Sequence, residues 1–363
     1  MPDFGRATGD GAARPLAYDG EGGALFRIVL RNTMLGLVTL GIYRFWGRTR
    51  LRRYLWAHVR LLGDRFEYTG TAMELFLGFL VALAVLIPIG VLSGVIELVV
   101  GPGGTAALIA LQVANYALLG FLIGIALFRA RRYRLTRTAW RGIRFGQSGA
   151  STRYALLWLG SLLLAIVTLG FAHPVGEVAL QRFRIDHTWL GSMRFGFDGR
   201  ARDLLGRWAL CLLLAPITLG LSLIWYAALR TRYFAACTRL GALGFALPVR
   251  FGDVARIYVP WYLVLAVVFG GLALSMAVTA AVTGNPHWPG AGSIVLFVLV
   301  VLLLPALQVI LVTHRMVRLV AGRLALTGDI DPESIVQKAQ TVPRTGEGLA
   351  DALDVGGGVE VGF

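Results

Sequence analysis

The stretch of residues 40–70 constrains this chain most, because its skeleton returns three more times. The copies align on four phenylalanines, Phe66, Phe145, Phe195 and Phe245, which lie 79, 50 and 50 residues apart. A glycine preceded by a leucine lies 25 residues before each of these marker phenylalanines. An arginine lies 13 residues before each of them, and the aromatic residue that follows this arginine lies 12 residues before it. Agreement at four separate offsets indicates an internal repeat, so we expect a series of similar structural units.

The predicted units cover about residues 26–70, 119–149, 169–199 and 219–249, with a possible degenerate fifth at 301–328. Each unit reads as an apolar helix, a Leu-Gly turn, an Arg-rich helix at the membrane interface and a short extended stop closed by glycine. The predicted turn glycines are Gly41, Gly120, Gly170 and Gly220. Glycine is the residue that takes the left-handed conformation at a helix end without strain.

The composition places the chain in a membrane. It is 56% hydrophobic and only 15% charged, with a mean hydropathy of +0.69. Apolar runs of about 20 residues, enough to cross a ~30 Å hydrocarbon core, occur near residues 73–100, 105–128, 257–283 and 293–313. We therefore predict an all-α, polytopic membrane protein with about six to eight membrane segments.

Two further apolar runs, near residues 154–172 and 205–229, are interrupted by Leu-Gly pairs. If each run crosses the membrane once, the Arg-rich segments alternate sides, against the tendency of basic loops to stay in the cytoplasm. If each run folds back as a short helical hairpin, all Arg-rich segments stay on one side. The recurring position of the glycine favours the hairpins.

Charge divides the chain into three parts. Residues 1–24 are polar and Gly-rich and predict a flexible leader, and residues 328–363 predict an acidic, mobile tail. Between them a single multi-pass membrane domain, residues 25–327, carries almost all of the basic excess, and 34 of the chain's 35 basic residues are arginine. Basic residues between membrane segments point to anionic lipid headgroups as partners rather than to nucleic acid.

Three strings carry a family resemblance: residues 26–46 (FRIVLRNTMLGLVTLGIYRFW), the following RTRLRRYLWAHVRLLGDRFEYTG, and ELFLGFLVAL at 74–83. Together they resemble the YjgN-like family of bacterial inner-membrane proteins, a family of unknown function. The resemblance implies a multi-pass location in the inner (cytoplasmic) membrane over about residues 20–325. It implies no catalytic residue, substrate or cofactor.

Two sets of residues are candidates for function. The repeated arginines are candidate lipid or anion contacts, because a guanidinium can hold two phosphate oxygens at once; a purely anchoring role at the interface is the alternative. They are Arg53, Arg132, Arg182 and Arg232. The second set lies in or beside apolar segments, where polar residues point to a polar pathway. It comprises Gln112, Asn115, His173 and Glu177.

No catalytic motif, metal-ligand spacing or cofactor fingerprint is present in the sequence, so we predict neither an enzyme nor a cofactor. Cys211 and Cys237 are isolated and read as buried small hydrophobes. The sequence favours a permease or channel-like protein for a small or anionic solute. A non-transporting lipid-binding scaffold or envelope assembly factor is the alternative, and the sequence does not indicate an oligomeric state.

Overall fold

The protein is described by a computed structural model that covers residues 16–101, 104–284, 291–328 and 335–337. Within these residues most of the chain is helical, and the last helix is joined to the one before it by the π-helical segment Val309–His314. The helices are α1 (Gly22–Val38), α2 (Arg44–Ala57), α3 (Ala72–Val100), α4 (Thr105–Thr136), α5 (Ser151–Val167), α6 (His173–Asp186), α7 (Arg202–Leu214), α8 (Leu221–Ala236), α9 (Phe251–Thr283), α10 (Ala291–Gln308) and α11 (Arg315–Arg323).

Ten short strands form one antiparallel sheet in which each strand pairs with the next along the chain. The prediction of an all-α fold is therefore wrong. The strands are three to five residues long, too short for an alternating pattern to predict a sheet, and four of the nine pairings join successive units, counting β10 as the start of the fifth. They are β1 (Leu16–Tyr18), β2 (Val59–Leu61), β3 (Asp64–Tyr68), β4 (Thr138–Trp140), β5 (Ile143–Gln147), β6 (Thr188–Leu190), β7 (Met193–Phe197), β8 (Thr238–Leu240), β9 (Leu243–Ala246) and β10 (Ala325–Thr327).

The marker phenylalanines occupy the same register position in successive pairings. Phe66 faces Trp140, and in the same way Phe145 faces Leu190 and Phe195 faces Leu240. The pattern extends to both ends of the sheet: Leu16 faces Leu61 as a marker residue would, and Phe245 faces Leu326. Thus α11 and β10 stand where the helix and first strand of a fifth unit would stand.

Three of the four Leu-Gly pairs join antiparallel helices, as the hairpin alternative predicts. The leucines have φ near +50° and the glycines Gly41, Gly170 and Gly220 have φ of +88°, +86° and +84°. The residue before the leucine of each turn is a threonine. Its hydroxyl donates a hydrogen bond to the carbonyl four residues earlier and accepts one from the backbone N–H four residues later. In the third unit Thr168 donates to Leu164 at 2.7 Å and accepts from Ala172 at 3.1 Å.

The predicted turn at Gly120 is wrong. Helix α4 runs without interruption from Thr105 to Thr136, and Gly120 lies within it beside Trp158 and Leu159. The residue before its leucine is Leu118 rather than threonine, so the hydroxyl that bridges the other three turns is missing. A continuous helix keeps every backbone hydrogen bond inside this long apolar segment.

Four helices are long and apolar enough to cross a membrane: Ala72–Val100, Thr105–Thr136, Phe251–Thr283 and Gly292–Arg323. The three Thr-Leu-Gly turns, by contrast, end in exposed apolar tips. Leu40, Leu169 and Leu219 are 95%, 83% and 93% exposed. Apolar tips of this kind belong in lipid rather than in water.

The predicted boundaries at both termini need correction. The expected flexible leader, residues 1–24, overlaps β1 and the start of α1, and the backbone N–H of Asp19 bonds the carbonyl of His58 at 3.1 Å. In the expected mobile tail, Ile335 is buried and the Gln337 side chain accepts a hydrogen bond from the backbone N–H of Arg144 at 2.7 Å. The rest of both predicted segments lies outside the described residues.

Candidate functional site: a central cavity

A cavity of about 700 Å³ lies between the sheet and the C-terminal ends of the helices that lead into it. All four marker phenylalanines line it, together with Leu16, their equivalent in β1. The rings form two neighbouring pairs: the centroids of Phe66 and Phe145 are 6.3 Å apart, and so are those of Phe195 and Phe245. We call these five residues the aromatic layer. Its regularity follows from the shared register of the strands.

Beyond the aromatic layer, equivalent positions in the strands and helices of successive units line the cavity. Seven residues before the marker phenylalanine the lining residues are Val59, Thr138, Thr188 and Thr238. Eleven residues before it they are Leu55, Arg134, Arg184 and Phe234. The same backbone positions thus present different chemistry in each unit.

One side of the cavity is basic. We call its four arginines, contributed by α4, α6 and α8, the cationic wall: Arg131, Arg134, Arg184 and Arg230. Gln181 lies at the position of α6 equivalent to Arg131, and both side chains are 5% exposed. Three lining threonines, Thr138, Thr188 and Thr238, turn their hydroxyls back to the carbonyl four residues earlier. The wall can therefore bind an anion with charge-assisted hydrogen bonds.

Among the described residues that line the cavity, Glu177 is the single carboxylate, and its side chain is 11% exposed. It accepts a hydrogen bond from Arg230 at 2.5 Å and a weaker one from the Tyr226 hydroxyl at 3.3 Å. His173 Nδ1 lies 3.9 Å from the other side of the same carboxylate, and its ring stacks on Trp208. Glu177 therefore neutralises Arg230.

A second part of the lining is apolar. We call this surface, contributed by α2, β2 and the α11 region, the apolar wall: Leu55, Trp56, Val59, Met316, Val317, Val320 and Leu324. The α2 and α11 regions are neighbours because β1 pairs with β2 and contacts α11. The Tyr18 hydroxyl and His314 Nδ1 are hydrogen-bonded at 3.1 Å across this junction. Burial raises the pKa of Tyr18 to about 12, so its phenol stays protonated there.

The predicted polar-pathway residues do not come together. Gln112 donates to Glu97 at 2.6 Å, and Asn115 accepts from Ser93 at 3.0 Å, so both join α4 to α3 away from the cavity. His173 and Glu177 lie together on α6, and of the four residues Glu177 alone lines the cavity. The amides are better explained as hydrogen bonds between two neighbouring membrane helices.

The repeated arginines hold their own units together. Arg53, Arg132 and Arg182 each donate to the carbonyl of the glycine 17 residues later, Gly70, Gly149 and Gly199, at 3.0, 2.5 and 2.6 Å. The fourth unit has Val249 at that place, and Arg232 makes no equivalent bond within the described residues. This internal bond explains the recurrence of the arginine, while a lipid or anion contact by its remaining N–H groups stays a prediction.

The cationic wall was missed in the sequence because it is not repeated. The signal that could have found it is a difference between units 11 residues before the marker phenylalanine. Two units have arginine at that position, and the others have leucine or phenylalanine. Among the described residues no group of three or more His, Cys, Asp or Glu side chains could hold a metal ion. The described lining of the cavity combines guanidinium groups with an apolar surface.

Comparison with known proteins places the chain in one family. A family model described as "Bacterial protein of unknown function (DUF898)" matches residues 13–209 and 182–320. The inner membrane protein YjgN of Salmonella typhimurium is 31% identical over 134 residues, which is 36% of this chain and 30% of that protein. The protein of the same name from Escherichia coli O157:H7 is 35% identical over 72 residues, 20% of this chain and 18% of that protein. The matched region thus spans less than a third of either relative. No solved structure matches the chain significantly.

Proposed function

We propose, for a chain that belongs to the DUF898 family of bacterial proteins of unknown function, that it is a permease or channel-like protein for a small anionic solute. The chain lies in the bacterial inner membrane, as its relatives' names and its apolar helices indicate. In this proposal the central cavity is the solute-binding site, and the repeated units around it provide a pseudosymmetric frame.

The observation that carries the proposal is the cationic wall. Arginines from α4, α6 and α8 line a cavity of about 700 Å³, within the range of about 300–1,000 Å³ that small-molecule sites occupy. A basic cavity with low-dielectric walls concentrates anions from solution. Arginine also gives the bidentate geometry that phosphate and carboxylate groups accept.

The proposed arrangement in the membrane follows from the helix lengths and the exposed tips. The four long helices cross the bilayer, and the hairpins α1–α2, α5–α6 and α7–α8 enter it and return. This gives seven membrane segments, within the six to eight that the sequence predicts. All strands then lie on one side, with the cavity opening between the sheet and the membrane, and the arginine excess places that side in the cytoplasm.

The experiment is uptake of inorganic phosphate by vesicles that contain the purified chain. Arg184→Gln should lower the uptake at least tenfold, because it removes a cavity cation and keeps a side chain of similar length. Arg202→Gln is the matched control, because Arg202 is 72% exposed and away from the cavity. Gln112→Leu should also leave uptake unchanged. Equal uptake by empty vesicles, or by the Arg184 and Arg202 variants, would refute the proposal.

A lipid-binding scaffold is the second candidate. The observation that favours it is the set of exposed leucine tips at Leu40, Leu169 and Leu219, which anchor the chain in lipid whether or not it transports anything. The phosphate-uptake experiment distinguishes the two functions. A scaffold has no uptake to lose, and its phenotype in a deletion strain should be rescued by the Arg184→Gln variant.

A further inference from the structure

We propose that Glu177 is a proton-binding site and that its protonation makes Arg230 available to an anion, so that the chain moves the anion together with a proton. This inference rests on the proposed anion permease and deepens it by naming the coupling ion. Three observations carry it: a guanidinium that two partners can share, the different surroundings of the two carboxylate oxygens, and the groups that face them.

Arg230 is the group that the carboxylate and a cavity anion would share. It lines the cavity, and its Nη1 donates to Glu177 Oε1 at 2.5 Å. The arginine side chain is 39% exposed and that of the glutamate 11%, so the cation is the more accessible of the two. An anion in the cavity therefore competes with the Glu177 carboxylate for the same positive charge.

This competition links the anion to a proton. While Glu177 is ionised, an anion on Arg230 would lie beside a second negative charge. A proton on the carboxylate removes that charge and leaves the charge of Arg230 to the anion. Linkage is reciprocal, so a bound anion must favour protonation of Glu177 by the same factor. One proton therefore enters the site with each anion.

The second carboxylate oxygen, Oε2, has different surroundings. The Tyr226 hydroxyl donates to it at 3.3 Å, and His173 Nδ1 lies 3.9 Å from it. His173 is the first residue of α6, shortly after the turn at Gly170, and its side chain is 45% exposed. As an imidazolium it can give its Nδ1 proton to Oε2, become neutral and take up another proton from outside the cavity. The carboxylate thus has Arg230 at one oxygen and a proton donor at the other.

The groups that face Glu177 or its partners come from four helices. They are His173 of α6, Cys211 of α7, Tyr226 and Arg230 of α8, and Tyr258 of α9. Helix α5 and strand β7 meet α6 elsewhere, with Ser161 beside Gly176 and with Arg194 donating to the Asp186 carbonyl at 2.8 Å. An arginine stays protonated in proteins, so the proton that controls the charge of the Glu177–Arg230 pair is the one on Glu177.

The first test measures the affinity of inorganic phosphate for the full chain in phosphatidylcholine nanodiscs, by calorimetry at a series of pH values on both sides of neutrality. Protonation favours binding, so affinity should fall as pH rises, by up to about tenfold per pH unit where the linked proton is lost. Glu177→Gln should keep its affinity at high pH. Phosphate exchanges its own proton in both chains, so the difference between them belongs to Glu177.

Two further variants complete this measurement. Glu97→Gln is the matched control and should keep the pH dependence of the unmodified chain, because Glu97 pairs with Gln112 away from the cavity. Tyr226→Phe keeps the carboxylate and the ring but removes a donor to the ionised form. Phosphate binding should then persist to higher pH, which decides the point if the glutamine variant fails to fold.

The second test is phosphate uptake by vesicles whose exterior is acidic. Uptake by the unmodified chain should be several-fold faster than at equal pH on both sides, and Glu177→Gln should show no such acceleration. His173→Gln should lose most of the acceleration and keep the pH dependence of phosphate affinity, because it removes the proton donor and leaves the acceptor.

The same pH dependence of affinity in the unmodified chain and in Glu177→Gln would overturn the inference and leave the anion site intact. Weaker binding by this variant at every pH would also overturn it, and full acceleration in His173→Gln would exclude His173 as the donor. Failure of every chain to bind or take up phosphate would instead remove the proposed permease function itself.

Discussion

The Arg137 guanidinium donates two hydrogen bonds to the carboxylate of Glu74, at 3.1 and 2.7 Å. Glu74 lies eight residues after the marker phenylalanine of the first unit, and Arg137 lies eight residues before that of the second. Arg323 and Asp253 repeat the arrangement between the fourth unit and α11, at 2.5 and 2.7 Å. Two of the boundaries between units are therefore joined by a carboxylate at the start of one helix and an arginine at the end of a later helix.

Replacing Arg137 by glutamine should destabilise the protein. Its side chain is 13% exposed, and the loss leaves the Glu74 carboxylate with the Tyr133 hydroxyl as a donor but without its cation. We expect a loss of about 2 kcal/mol in the free energy of unfolding, the scale of hydrogen bonds to charged groups. Denaturant titration in detergent measures it.

Arg141→Gln is the control, because Arg141 and Asp64 form a half-exposed pair at 3.0 Å. Exposed pairs contribute little, so the change should stay below about 1 kcal/mol. Equal losses of unfolding free energy in the Arg137 and Arg141 variants would contradict the role of Arg137 in joining the first two units.

Replacing Arg182 by lysine should weaken its unit. Lysine keeps the charge but cannot reproduce the planar fork that reaches the Gly199 carbonyl at 2.6 Å. The expected loss of stability is about 1 kcal/mol, the worth of one net hydrogen bond. Arg232→Lys provides the matched comparison, since its unit has Val249 in place of the glycine. An identical loss at both positions would argue for a role in the membrane interface common to all units.

Two glycines near the same hairpin should respond oppositely to alanine. Gly170 has φ of +86° in the turn, whereas Gly160 lies within α5 with open space around it. Gly170→Ala should cost about 1 kcal/mol because of left-handed backbone strain. Gly160→Ala should gain up to about 1 kcal/mol from helix propensity. Thermal unfolding in detergent would show shifts of opposite sign, and a destabilised Gly160 variant would mean that this face of α5 is packed.

Glu177→Gln should strengthen binding of phosphate to the cavity. The glutamine no longer neutralises Arg230, so the charge of Arg230 becomes available to the ligand. We expect about a tenfold rise in affinity, which is the effect of 1.4 kcal/mol. Calorimetry in nanodiscs measures it, and Glu97→Gln, at a carboxylate paired with Gln112 away from the cavity, should have no effect. Weaker binding in the Glu177 variant would show that this carboxylate positions Arg230 for the ligand instead of competing with it.

Reporter tags placed after Gly149 and after Gly199 should report the same side of the membrane. Both glycines directly follow strands of one continuous sheet, β5 and β7, and a sheet with unpaired polar edges does not cross a bilayer. Fusions to a phosphatase and to a fluorescent protein at these two positions measure the side of the membrane on which each tag lies. Opposite readings would exclude the hairpin topology.

The sequence by itself determined the membrane class and the positions of three of the four turns. The apolar runs gave the long helices, and the Thr-Leu-Gly turns at Gly41, Gly170 and Gly220 were visible as glycines at a fixed offset. The prediction of a turn failed at Gly120, because the Leu-Gly pair recurs there without the preceding threonine. Local signals suffice for features that are stabilised locally, by a helix's own hydrogen bonds and by backbone conformation.

Only the tertiary structure decided what the units build between them. Strands of three to five residues become a sheet when Phe66 meets Trp140 and Phe145 meets Leu190, partners that are 74 and 45 residues apart in the chain. Arg131, Arg184 and Arg230 differ from the repeat and look like surface charges in the sequence. They share one cavity because successive units pack around it, and that packing depends on contacts between residues far apart in the chain, which no local pattern encodes.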